Sequence, residues 1–442
     1  MIVAGVIGLI AVLVALISWA RLPPFLAFLL TALLGGLVFG IPLDKLAASV
    51  EHGIGDMLGG ITAIICLGAM FGRVVADSGA TRTVSDALVG AVGPRFILLA
   101  MAVTGLIAGI PLFYAVGFVI MVPLILSLAA RTKLPAVYLG IPLLCGLSVA
   151  HGFLPPHPSP MALIKVFGAD TGLTLIYGLG VASVTLLVAG PLLALTLKSV
   201  GAPAEGGRAA AADEIRSRPG AFNSFFTALL PVMLIALGTG LAYVPDKPPL
   251  LDQAQVLLAQ PAIVLAASLL YATFSLAGGR DVRTMMDGYA TSLKDVAGIL
   301  LVLAGAGALK QVFADSGVSS ALGDWLKALP LDPLVLGWLI AMIIRIALGS
   351  ATIAGLTAAG IMAPVIVARH VDPNLMVLSI GAGSLMCSHI NDAGFWLFKE
   401  YFGLSLYDTF RSWSLMESVV GLVGLACVLG LNMVLHGAGL PV

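Results

Sequence analysis

The sequence predicts an all-α polytopic membrane protein built from two inverted-topology repeats, and three observations carry that reading. First, 60% of the 442 residues are hydrophobic and only 10% are charged, with a mean hydropathy of +1.10. A soluble domain averages about 45–50% apolar and about 25% charged residues, so this little charge cannot coat a water-soluble globule. Second, a constant offset of 238 relates the halves. Ala-Asp-Ser-Gly at Ala76–Gly79 returns at Ala314–Gly317, Gly117 returns as Gly355, Pro135 as Pro373, His151 as His389, and Asp170-Thr171 as Asp408-Thr409. Such an offset marks a duplicated unit. Third, four apolar stretches, two per half at corresponding places, are broken by Gly, Pro or clustered polar residues.

The elements follow in order. Spans are expected near Ile2–Trp19, Phe25–Ile41 and Met57–Val75. The first has no basic segment ahead of its apolar run, so it reads as a membrane span and not as a cleaved leader. Its apolar run of about 18 residues just crosses a hydrocarbon core of roughly 30 Å. Phe96–Ala129 and Pro135–Phe167 are too long for one span each and carry the first two breaks; Tyr177–Leu197 closes the half. Lys198–Gly220, with the run GAPAEGGRAAAADEIRSRPG, has the composition of a flexible linker. The second half brings Phe222–Tyr243, Pro261–Ala277, Val296–Phe313, the interrupted stretches Leu334–Ala368 and Leu375–Phe402, and a final span at Leu415–Leu435. The predicted units are therefore residues 1–197 and 222–442, joined by a linker at 198–221.

If each Gly-interrupted stretch is a re-entrant hairpin, each half crosses the membrane five times, and an odd number turns the second half upside down. The basic residues favour one orientation. Of 22 Lys and Arg, fifteen then fall in inside loops, six fall outside, and Arg345 lies within the membrane, as the positive-inside rule requires. The linker is expected to be cytoplasmic and both termini periplasmic.

Balanced charge, 22 basic against 22 acidic residues, gives no basic surface for nucleic acid. The four cysteines sit in apolar runs without C-x-x-C spacing, and read as small core residues. No histidine pair has metal-ligand spacing and no serine–histidine constellation is evident, so no cofactor and no metal is expected. An intramembrane enzyme built on His151, His157, His389 and Asp392 is the remote alternative to a transporter.

Inverted repeats with broken helices are a mark of secondary transporters, whose sites sit where helices unwind. The first break is GIPLFYAVG, Gly109–Gly117, with Phe113 and Tyr114 at a hairpin tip. The second, SVAHGFLPPHPSP, holds four prolines in six residues and cannot be helix interior. Ser159 followed by Pro160 gives a half-helix start whose N–H groups are able to receive a carboxylate. His151 and His157 flank the unwound segment, which includes Gly152 and Pro156. The third, LGSATIAG, offers Ser350 and Thr352, with Arg345 five residues before Ser350. An arginine in an apolar run is costly unless paired, and is a functional candidate by default. The fourth, CSHINDAG, places His389, Asn391 and Asp392 within a span. Asp392 reads either as a half-helix cap or as an intramembrane proton carrier. The repeated Ala-Asp-Ser-Gly, with Asp77 and Asp315, is better explained by turn chemistry at Gly79 and Gly317.

At these breaks the chain resembles the gluconate permease (GntP) family of bacterial secondary transporters. The runs SVAHGFLPPHPSP from Ser148, RIALGSATIAGLTAAGIMAP from Arg345 and SHINDAGFWLFKEYFGLS from Ser388 carry the likeness. The resemblance implies symport of a small sugar acid such as gluconate with protons across the bacterial inner membrane. It also implies paired re-entrant hairpins, a homodimer, and elevator movement of a transport domain against a scaffold. The chain departs from the family at FYAVGF, where Ala115 stands in place of an acid. Coupling would then rest on Asp392, His151 or His389, or on another ion. In this reading the substrate carboxylate meets half-helix starts at Ser159–Met161 and Ser350–Thr352 with Arg345. The hydroxyls meet His151, Tyr114, Asn391 and Thr352. A D-amino acid such as D-serine, or a short hydroxy acid, is the rival cargo.

Overall fold

The computed structural model describes residues 2–110, 112, 114–200, 218–242, 244, 247–278, 281–318, 321, 331–390 and 392–437. Among them every regular element is helical. The first half runs α1 (Ile2–Ser18), α2 (Pro24–Val38), α3 (Leu43–Asp77), α4 (Ala80–Val92), α5 (Ile97–Gly109), α6 (Tyr114–Thr132), α7 (Ala136–Phe153), α8 (Pro158–Phe167) and α9 (Thr171–Leu187). The second half runs α10 (Ala221–Ala242), α11 (Pro249–Leu258), α12 (Pro261–Ser275), α13 (Val282–Asp315), α14 (Pro333–Leu348), α15 (Ala351–Arg369), α16 (Pro373–Leu385), α17 (Ala393–Tyr401), α18 (Leu406–Thr409) and α19 (Leu415–Gly437). Seven helical segments among the described residues are long and apolar enough to cross a bilayer, and α11 with α12, bent by 88°, would make an eighth.

Two of the sequence-placed spans are longer than expected. Met57–Val75 and Val296–Phe313 are the apolar ends of α3 and α13, which have 35 and 34 residues. Their first turns are polar, so hydropathy sees only the remainder, but the same faces pack. The two long helices cross at Gly53 and Gly307, where a Cβ on either residue would lie 2.4 Å from the carbonyl oxygen of the other. Only glycine permits that approach. Helices α2 and α12 pack on this pair and α1 packs on α2, giving one body. The turns after the long helices are those read from Ala-Asp-Ser-Gly: Gly79 has φ +77° and Gly317 φ +73°. Asp77 pairs with Arg73, and Asp315 accepts from Ser49 Oγ at 2.7 Å.

The second body is made by α5 to α9 with α14 to α17 and α19. Its centre is α7 crossing α16, where a Cβ on Gly381 would sit 2.2 Å from the Gly152 oxygen. Asn374, in the first turn of α16, accepts from the Asp170 N–H and the Thr174 hydroxyl at the start of α9, tying the two halves together. One ion pair links the two bodies, Lys165 Nζ of α8 to Asp56 Oδ1 of α3 at 3.1 Å. Two short π-helical segments, Val188–Leu192 after α9 and Phe410–Ser414 before α19, are invisible to a hydropathy reading. Most of the expected linker, residues 201–217, lies outside the described residues, as do Phe113 and Asn391.

Candidate functional site

The four breaks become four helix ends. The first hairpin has α5 ending at Gly109 and α6 starting at Tyr114. The second hairpin turns at Gly349, with φ +73°, and Ser350, whose hydroxyl caps α15 by accepting from the Ile353 N–H at 3.4 Å. In the broken spans, α7 stops at Phe153 and α8 starts at Pro158, while α16 stops at Leu385 and α17 starts at Ala393. The sequence had placed the start of α8 at Ser159 and Pro160. It begins two residues earlier, with His157 as N-cap and no side-chain capping bond, because Pro158 already has the fixed φ suited to a first helical residue.

Residues from all four breaks meet at one cavity of about 400 Å³. Tyr114 lines it from the first hairpin, Ser148 and His151 from α7, and Leu348 to Ile353 from the second hairpin. Arg345, Asp392, Trp413 and Glu417 supply the rest of its polar wall.

Arg345 and Asp392, 47 positions apart, form an ion pair. Arg345 is only 4% exposed, and a buried arginine without an anion would be strongly unfavourable. Asp392 is held on every side. It accepts from Ser388 Oγ, and its Oδ1 accepts from the Gly394 N–H at 2.9 Å, which makes it the N-cap of α17. Trp413 Nε1 donates in turn to Ser388 Oγ at 2.7 Å. The chain Trp413–Ser388–Asp392 therefore fixes the carboxylate that fixes the guanidinium. Only Nη2 of Arg345 is used; Nε and Nη1 have no hydrogen-bond partner. A guanidinium carries five N–H donors, so among the described residues this buried one keeps unused donors beside a polar cavity.

Across the cavity, Glu417 in the first turn of α19 is 3% exposed. Its Oε1 accepts from Ser148 Oγ at 2.5 Å, and its Oε2 has no partner. Sequence reading missed Glu417. The available signal was a lone acid at the edge of the apolar run Leu415–Leu435, which by the rule applied to Arg345 was already a candidate. The Tyr114 and Trp413 rings lie tilted against each other, with centroids 6.3 Å apart.

The other expected residues divide. His151 lines the cavity and its Nδ1 lies 3.4 Å from Nε2 of His157. His157 and Pro156 line a separate small apolar cavity with Phe71 and Leu112. Ser159 and Gly152 are buried in helix packing, off the central cavity. Ser350 and Thr352 line it. His389 does not; its Nε2 meets the Ile346 carbonyl oxygen at 3.0 Å, on the back of the hairpin.

Hairpin tips and broken helices around a charged cavity, in a chain with this many apolar helices, define a multi-pass membrane transporter. The fold is that of solved transporters. The YdaH transporter of Alcanivorax borkumensis matches with a TM-score of 0.65 at 17% identity, over 95% of this chain and 99% of that one. MtrF of Neisseria gonorrhoeae matches with a TM-score of 0.65 at 14% identity. The chain belongs to the GntP permease family, whose family model matches residues 1–434. Its relatives include the high-affinity gluconate transporter of Escherichia coli K12, 40% identical over 97% of this chain and 98% of that one. The Gnt-II system L-idonate transporter of the same organism is 38% identical over 97% and 98%. The gluconate permease of Bacillus subtilis 168 is 38% identical over the same shares. It is a permease and not an enzyme.

Proposed function

We propose that this protein imports a small hydroxylated monocarboxylate, gluconate or a similar sugar acid, by proton symport across the bacterial inner membrane. The observation that carries this reading is Arg345: a buried guanidinium, oriented by Asp392, with Nε and Nη1 unpartnered at a cavity of about 400 Å³. Charge-assisted hydrogen bonds to a carboxylate are the strong ones available to such a group. Ser350, Thr352, Tyr114 and His151 around it supply partners for substrate hydroxyls. The names of the relatives, gluconate and L-idonate transporters, agree with that chemistry.

Alternating access by an elevator movement, with inverted repeats at 1–197 and 222–442 joined by a cytoplasmic linker, is part of the proposal. It is supported by helix bounds that recur near the 238 offset. Residues 43–77 of α3 map to 281–315, against Val282–Asp315 for α13, and 114–132 of α6 map to 352–370, against Ala351–Arg369 for α15. The moving unit would be the body holding α7 and α16, the scaffold that of α3 and α13, and the assembly a homodimer with periplasmic termini. Binding competition tests the cargo. Unlabelled gluconate is expected to displace labelled gluconate from purified protein while D-serine does not; displacement by D-serine alone would replace the sugar acid with an amino acid.

A further inference from the structure

The cavity contains one carboxyl that the ion pair does not use. Arg345 pairs with Asp392 through Nη2, and Asp392 is further held by Ser388 and the Gly394 N–H. Glu417 has no such cation: no salt bridge to it occurs among the described residues, its Oε1 takes one hydroxyl bond from Ser148, and its Oε2 accepts nothing. From its position in that shared cavity we propose that Glu417 carries the coupling proton, so that a proton on its carboxyl and a substrate carboxylate on Arg345 occupy the site together. The proposal rests on the sugar-acid symport reading above and names its proton group.

The argument is one of charge. With Arg345 and Asp392 cancelling, Glu417 is the remaining carboxyl among the described residues that line the cavity. Other titratable groups near it are Cys145 and His151 of α7 and Tyr114 of α6; α16 has none, and α9 brings none to the cavity. Ionised, Glu417 is a second anion in the compartment that receives an anion, buried without a counter-charge, and that arrangement is costly. A proton on Glu417 removes both penalties and leaves the wall neutral for a monocarboxylate. The proton comes from the medium to which the cavity is open when substrate enters and leaves to the cytoplasm with it; no bond of the substrate changes. Asp392 is the poorer carrier, because its proton would have to displace Arg345, Ser388 and the Gly394 N–H.

The test uses the full-length protein in proteoliposomes with labelled gluconate, reading the accumulation ratio and not the rate. Wild type with one proton per substrate should reach about tenfold accumulation per unit of imposed pH gradient. E417Q should give a ratio near one whatever the gradient. Proton uptake on gluconate binding, followed with an indicator dye in weak buffer, should be present in wild type and absent in E417Q. If E417Q aggregates, E417D decides: a displaced pH profile of uptake supports the proposal and an unchanged one overturns it. Gradient-driven accumulation by E417Q overturns it, as does loss of binding-linked proton uptake in D392N that still binds gluconate. Wild type that exchanges gluconate without responding to the gradient also overturns it while leaving the sugar-acid reading intact. Wild type that does not handle gluconate at all refutes that reading instead.

Discussion

Replacing Arg345 by alanine removes the one arginine or lysine among the described residues lining the central cavity. Asp392 keeps the Ser388 hydroxyl and the Gly394 N–H but loses its counter-charge, which costs stability. The comparison is therefore made on variants that remain monodisperse, with R345K as the charge-retaining control. A hydrogen bond to a charged group contributes about 1.5–3 kcal/mol, so losing one bond to the substrate carboxylate predicts roughly 10- to 150-fold weaker gluconate binding. Losing two would exceed that range. R345K restores charge but not the planar fork, so it should recover only part of the loss. Equilibrium binding of labelled gluconate to purified, monodisperse protein measures all three. A double variant with D392N separates the roles: if Asp392 acts by orienting Arg345, D392N should add little once Arg345 is gone. Binding of gluconate by R345A within about threefold of wild type would refute the assignment of the carboxylate to this guanidinium.

Other expectations are narrower. W413F keeps a ring in the wall but loses the 2.7 Å bond to Ser388, a net change of about 1 kcal/mol, so gluconate binding should weaken roughly fivefold in the same assay. His389 lies off the cavity, so H389A should shift the transport KM less than about threefold; a tenfold shift would place it back in the site. G307A puts a methyl 2.4 Å from the Gly53 oxygen and should destabilise the detergent-solubilised protein by about 1–3 kcal/mol, whereas G430A, with open space at its Cβ, should not lower the melting temperature. D56C with K165C, in a background without the native cysteines, joins the two bodies where Lys165 meets Asp56. A short thiol cross-linker should then stop uptake and reductive release should restore it if one body moves against the other; unimpaired uptake by fully cross-linked protein would count against the elevator.

The breaks were legible because their cause is local. Four prolines from Pro155 to Pro160 and the Gly349-Ser350 pair cannot continue a helix, and chain positions alone locate them. What the sequence could not supply is which ends meet. Arg345 and Asp392 were each noticeable as a charge in an apolar run, yet their pairing spans 47 positions and depends on where the second hairpin meets the break before α17. His389 and His151 look equivalent by the repeat, but one faces a backbone carbonyl and the other the cavity, a difference set by where the unwound segment turns. Trp413 entered the site through the π-helical stretch Phe410–Ser414, which carries no composition signal. Glu417 differs from these: it is a lone acid inside the expected span Leu415–Leu435, and the rule applied to Arg345 already covered it.

Counterflow tests the central claim most directly. Vesicles holding the full-length protein and unlabelled gluconate are diluted into trace labelled gluconate, with and without an inward proton gradient. The account predicts transient accumulation of label without a gradient and greater, sustained accumulation with one. Folded protein that shows no counterflow of gluconate would contradict it.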